Sequence, residues 1–187
     1  MAFVVVYDAC VLHPAPLRDL LIRLGQSGLV RARWSERILD EVFASIVRMR
    51  PELKQPALER TRALMNRAIP DVVVEGFEEI EAGLVLPDVD DRHVLAAAIR
   101  VGAQAIITFN AKDFPAAALA QYGIEALGPD AFVVDLIDLA PGVVAHVIDE
   151  QTKALKNPPR TVADIVDALA ANGLNRTAAK LREIFGL

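Results

Sequence analysis

Asp8 follows directly on the apolar run Phe3-Val4-Val5-Val6-Tyr7, and three later segments carry acids or amides able to hold cations. Residues 35–41 run from Ser35 to Glu41, residues 88–98 contain Asp88, Asp90 and Asp91, and residues 106–115 contain Asn110 and Asp113. Carboxylates drawn together repel one another unless protons are taken up or a divalent cation sits among them. A chain that gathers these four segments is therefore read as building a metal-binding acidic site.

The elements that must position these residues follow from hydrophobic patterning. Residues 3–7 are short, rich in Val and apolar throughout, as expected of a strand buried on both faces of a parallel sheet. Similar runs occur at residues 29–32, 72–74 and 105–108, with a weaker one at 124–126. Pro16 is placed to open a helix through Leu17, Leu20, Leu21 and Leu24, which Gly25 or Gly28 would end. Ser35 is placed to cap a helix burying Ile38, Leu39, Val42, Ile46 and Val47. Another helix carries Leu58, Leu64 and Met65, and Asp90 or Asp91 opens one that buries Val94, Leu95 and Ile99. This alternation predicts an α/β fold, a parallel sheet with right-handed crossovers and helices on both faces. Ligands of such sheets gather beyond the carboxyl ends of the strands. Asp8, Asn110, Asp90 and Asp91 all fall on that edge.

Composition bounds the rest. A chain of 187 residues, 53% hydrophobic, suits one domain with a large core and a small appendage. Its one cysteine, Cys10, cannot form an internal disulfide or build a zinc site. No secretory signal or membrane-spanning run of about 18 apolar residues is read, so a soluble, cytoplasmic protein with no membrane association is expected. The net charge of −5 is unevenly spread. Residues 14–70 carry 11 Lys/Arg against 6 Asp/Glu, whereas residues 71–151 carry 3 against 15. An acidic centre flanked by basic surface suits a site where cations are held while arginines contact phosphates. A mixed, solvated surface is the plainer alternative.

After Leu139-Ala140-Pro141-Gly142 the strand signals stop, and helical patterns follow at residues 143–155, 161–171 and 175–185. Residues 1–139 are thus expected to form the α/β unit and residues 140–187 a helical extension. Basic Arg176, Lys180 and Arg182 offer a docking or homodimer surface, but a cap packed on the sheet is the preferred reading. No internal repeat or low-complexity tract is found.

Taken singly, the acids are ordinary: Asp8 as a turn residue, Glu41 as a solvated helix residue, Asp88, Asp90 and Asp91 as a helix cap. Their order, however, resembles a PIN-domain nuclease. That pattern runs from an Asp ending the first strand, to a Glu six residues after a Ser, to an Asp opening an Asp-x-x-hydrophobic-x-Ala-x-Ala helix. It ends with a hydrophobic strand, Thr, and Asp or Asn. The matching positions are Asp8; Ser35 and Glu41; Asp91, Ala96 and Ala98; and Ile106, Ile107, Thr108 and Asn110. The resemblance covers residues 3–132 and is most specific over 90–115. Asn110 stands where many members have Asp, which puts a second metal in question because an amide brings no charge.

The resemblance implies an endoribonuclease dependent on Mg²⁺ or Mn²⁺, acting as a VapC-like toxin of a toxin–antitoxin pair. Asp8, Glu41 and Asp91 would hold the metal, with Asn110, Asp113 and the adjacent Asp90 completing its surroundings. A site of carboxylates suits Mg²⁺ better than zinc. Arg31, Arg33 and Arg37 are the candidates for contact with RNA. Thr108 would orient Asn110 or a phosphate, Trp34 is a base-stacking candidate more readily explained as core, and His93 is read as a packed helix residue rather than a base. A cognate antitoxin is expected to lay an apolar helix into a groove near the first two helices.

Two other readings stay open: a PIN-like RNA-binding or scaffold protein with weakened catalysis, and a phospho-acceptor domain. The second lacks the acid pair such domains carry after the first strand. A haloacid-dehalogenase reading fails because Cys10 stands where a second Asp is needed. An EF-hand fails for want of its Gly and Glu in register.

Overall fold

Five successive residues, Phe3–Tyr7, form strand β1, and burial deepens along it until Val5, Val6 and Tyr7 are wholly enclosed. The computed structural model describes residues 3–187. The first two residues of the expected α/β unit lie outside the described residues. β1 pairs in parallel with β2 (Val30–Arg33) on one side and β3 (Ala105–Ile107) on the other; β3 pairs in parallel with β4 (Glu125–Leu127). The strand order is β2-β1-β3-β4. Tyr7 stands opposite Ile107 in this register, and the next amide, Asp8 N–H, donates to the Ile107 carbonyl at 3.1 Å. The carboxyl ends of the two central strands are thus level.

Helices α1 (Ala9–Leu12) and α2 (Ala15–Gln26) connect β1 to β2. α3 (Glu36–Met49), α4 (Gln55–Ala68), α5 (Glu78–Ala82) and α6 (Arg92–Arg100) connect β2 to β3, and α7 (Ala116–Leu119) precedes β4. α6 lies against β1 and β3, and α2 against β2, so helices flank the expected parallel sheet. Ser35 caps α3 as expected, its Oγ accepting the Ile38 N–H at 3.2 Å.

Several local readings need correction, among them Val47, expected buried on α3 but 41% exposed. Residues 72–74 form no strand of their own. Val73 makes one parallel bridge to Trp34, with Trp34 N–H donating to the Val72 carbonyl and Val74 N–H to the Trp34 carbonyl. Of the two glycines offered as the end of α2, Gly28 fits, taking up φ +80° just after the helix, which runs through Gly25 to Gln26. Inside α2, a Cβ at Gly25 would stand 2.6 Å from Ile69 Cδ1 and 3.1 Å from Ala32 Cβ, so close packing explains the glycine better than helix termination. α8 (Pro129–Leu139), like the short α1, α5 and α7, forms where no element was expected.

Beyond α8 come α9 (Pro141–Ala154), α10 (Val162–Ala171) and α11 (Asn175–Phe185), close to the helices expected there. α9 and α10 pack on α2, and α11 packs on α8. The Asp130 carboxylate accepts the Arg176 N–H at 3.1 Å and the Thr177 N–H at 2.8 Å, tying α8 to the first turn of α11. Lys180 pairs with Asp138 and Arg182 with Asp167. The helical extension thus packs onto the rest of the molecule. Among the described residues no single helix is long and apolar enough to cross a membrane; α8 and α9 are apolar together but meet at 119°.

Candidate metal centre

Asp8 occupies the turn where β1 hands the chain to α1. It is 5% exposed and caps α1, its Oδ1 accepting the Ala9 N–H at 2.7 Å. Its Oδ2 accepts from the buried Thr108 hydroxyl at 2.7 Å and from the Cys10 thiol at 3.1 Å. The Thr108 Oγ in turn accepts the Asn110 N–H at 2.9 Å, and Cys10 Sγ accepts the Phe109 N–H at 3.3 Å. One knot of polar contacts therefore joins the ends of β1 and β3. Burial, and then the charge of Asp8, push the Cys10 thiol up to about 12, so it stays neutral and serves as a donor rather than a cation ligand.

Glu41 comes from the second turn of α3. The other acids on that helix are occupied: Arg62 of α4 binds Asp40 at 2.6 Å and Glu36 at 2.7 Å. Glu41 instead reaches His93 of α6, with Oε1 2.8 Å from Nε2. The two are close without the alignment of a good hydrogen bond, and His93 Nδ1 has no partner. His93 is fully buried, as the packed reading expected, but it also touches a candidate ligand.

Asp91 stands at the N-cap of α6, yet its side chain bonds none of the helix N–H groups. Partial burial, and then the charges of Asp8, Asp88, Asp113 and Glu41, push its carboxyl up to about 6. Asp91 is thus where the fields of acids from four separate segments meet. Asp88, an acid of the 88–98 segment but not among the expected ligands, is one of them. It turns back to accept the Asp90 N–H at 2.9 Å, and Asp90 itself is exposed and does not figure among the charges acting on Asp91. Asp113 is half-buried at the end of the 3₁₀ turn Ala111–Asp113, which exposed Asn110 precedes.

The donor chemistry fits a hard divalent cation: carboxylates and an amide, with His93 behind Glu41 and a neutral thiol behind Asp8. As placed, no three His, Cys, Asp or Glu side chains among the described residues stand close enough to share one ion. Ligation by three of them would need side-chain rotation. The fold brings the segments to one edge, and the carboxylates remain apart there.

Of the arginines, Arg31 is exposed on edge strand β2, and Arg33 is half-buried with an unpartnered Nε. Arg37 is committed elsewhere, its Nη1 donating to Glu81 Oε1 at 2.7 Å. Trp34 is fully buried, stacked near Tyr7 and donating to Asn66 Oδ1 at 2.9 Å, so it offers no face to a base. Sequence reasoning missed Cys10, whose contacts reach across the fold to Phe109 and Thr108 and leave no local signal.

Comparison with known proteins gives the family. The family description "PIN domain" matches residues 4–112, and "VapC50 C-terminal domain" matches residues 129–183. A relative from Mycobacterium tuberculosis (strain ATCC 25618 / H37Rv), named "Putative ribonuclease VapC50", is 44% identical over 95 residues. The match takes in 51% of this chain and 56% of the relative, so the chain spans about half of that protein's length. No solved structure matches the chain.

Proposed function

The chain belongs to the PIN-domain family, and from that premise we propose that it is a divalent-metal-dependent endoribonuclease, the toxin of a toxin–antitoxin pair. The observation that carries the proposal is the convergence on Asp91 of charge from Asp8, Glu41 and Asp113, three other segments of the chain, and from neighbouring Asp88, which together with burial pushes its carboxyl up. A cluster that is electrostatically unfavourable by itself has a purpose when it holds a cation. The ribonuclease name of the relative supports the same reading.

A bound Mg²⁺ or Mn²⁺ would supply an activated water and neutralise charge building on a phosphate. Asp8, Glu41 and Asp91 would hold it, with Asp88, Asp113 and Asn110 nearby to bind its waters and Asp90 the most peripheral. Thr108 and Cys10 fix the Asp8 carboxylate by donating to Oδ2. His93 Nε2, 2.8 Å from Glu41 Oε1, is placed to steady Glu41 once the two align. Arg31 and Arg33 remain the candidates for contact with RNA phosphates, and Arg37 could join them only by leaving Glu81.

A cleft of about 740 Å³ between α2, α4, α9 and α10 is lined by Ile22, Leu64, Met65, Leu155 and Ile165, with Arg23 at its edge. It borders only α2 of the helices beside which the antitoxin groove is expected, and we offer it as the antitoxin's seat. A cytoplasmic setting goes with an RNA substrate and an antitoxin.

The test is cleavage of total RNA by wild type and Asp8→Asn, each with Mg²⁺ or with EDTA. Cleavage by wild type with metal alone supports the proposal, and equal cleavage by both proteins removes Asp8 from the site. Absence of cleavage by either favours the scaffold reading, which the separation of the carboxylates supports.

A further inference from the structure

Phe109 sits between Thr108, whose hydroxyl bonds Asp8, and Asn110, so its main chain stands beside the contacts that hold Asp8. Its backbone is fixed on every side. Phe109 N–H donates to Cys10 Sγ at 3.3 Å, Thr108 N–H to the Leu127 carbonyl at 2.9 Å, and Asn110 N–H to the Thr108 hydroxyl at 2.9 Å. The side chain nevertheless stays 43% exposed. An exposed Phe alone is unremarkable; this one stands on an anchored backbone at the edge of an acidic site.

The helical extension reaches the same place. Gly173, in the turn between α10 and α11, has φ +88°, and a Cβ there would stand 3.7 Å from Phe109 Cε1. One edge of the ring therefore runs beside a stretch of main chain that bears no side chain. Three residues on, Arg176 is exposed and, among the described residues, has no ion-pair partner, unlike Lys180 and Arg182 on the same helix.

We propose that Phe109, backed by the turn at Gly173, is a stacking platform for one nucleobase of a single-stranded RNA, with Arg176 available to an adjoining phosphate. This rests on the ribonuclease reading and extends it, giving the C-terminal helices a part in holding substrate. An aromatic ring on a fixed backbone accepts any base through its π-face and loses little freedom on binding.

Two measurements test the proposal: fluorescence anisotropy of a short labelled single-stranded RNA in EDTA, and kcat/KM for its cleavage in Mn²⁺. Phe109→Ala is expected to lose about 5- to 100-fold in each, the worth of one stacked base. Phe109→Trp is expected to restore both, with its fluorescence quenched on RNA binding, a signal distinguishable from buried Trp34 by difference from wild type. An abasic oligonucleotide should be insensitive to Phe109→Ala. Wild-type cleavage with Phe109→Ala unchanged overturns the platform and leaves the ribonuclease standing. An equal loss on abasic RNA also overturns it, since the defect then lies in the loop. Wild type that neither binds nor cleaves RNA overturns the ribonuclease reading, and the platform with it.

Discussion

The Thr108 hydroxyl donates to Asp8 Oδ2 at 2.7 Å across 100 residues of sequence, and both groups are buried. This bond aligns the ends of β1 and β3 and sets the direction of the carboxylate most central to the proposed site. The same oxygen of Thr108 receives the Asn110 N–H, so one hydroxyl governs two candidate ligands.

Thr108→Val keeps the shape and removes both bonds. The variant should lose about 1–3 kcal/mol of stability, because buried polar partners are left unpaired. Urea unfolding measures this directly. A loss well under 1 kcal/mol would mean that the knot is not a structural tie.

Asp91 sets the pH response. Its folded value of about 6 lies above its ordinary 3.8, so the folded state binds the proton more tightly than the unfolded chain does. The ionised form therefore destabilises the fold: the penalty is absent below about pH 4, grows between 4 and 6, and is complete above. Asp91→Asn should stabilise the metal-free protein at pH 7 by about 1 kcal/mol, a figure reduced for partial solvent exposure. The gain should vanish near pH 4, as read by thermal unfolding. Divalent-ion affinity of the wild type should also fall as pH drops through 6, since protons compete for the same carboxylate.

His93 tests whether Glu41 is held in place. His93→Leu retains apolar bulk on α6 and removes the nitrogen 2.8 Å from Glu41 Oε1. Groups that orient a metal ligand typically contribute about 10-fold or more to metal affinity. Calorimetric titration with Mn²⁺ should show weakening of that order with the fold intact. Unchanged affinity would leave His93 as a packing residue only.

How much of this was readable in the chain depends on how local the signal was. β1, the Ser35 cap and α11 were legible because five apolar residues, one hydroxyl before a helical pattern, and a break at Gly173 act through near neighbours. α8 escaped because Phe132, Val133, Val134, Leu136 and Ile137 are all buried, which erases the one-sided pattern that marks a surface helix. Val72 to Val74 read as a strand from β-branched propensity, but strand formation also needs a partner over several residues, and Trp34 supplies only one bridge. Within the proposed site, the order of Asp8, Glu41 and Asp91 made them candidates, and the fold sets Asp8, Glu41 and Asp91 within electrostatic reach of one another. The contacts of Cys10 with Thr108 and Phe109 and the pairing of Glu41 with His93 were not legible, since each joins distant parts of the chain.

The central claim, that Asp8, Glu41 and Asp91 share one divalent ion, is tested most directly by anomalous diffraction from crystals soaked in Mn²⁺. The account predicts one strong peak among these three side chains, with at least two carboxylate oxygens drawn in to about 2.0–2.3 Å. A well-ordered site with no peak there, or a peak held by other residues, would contradict it.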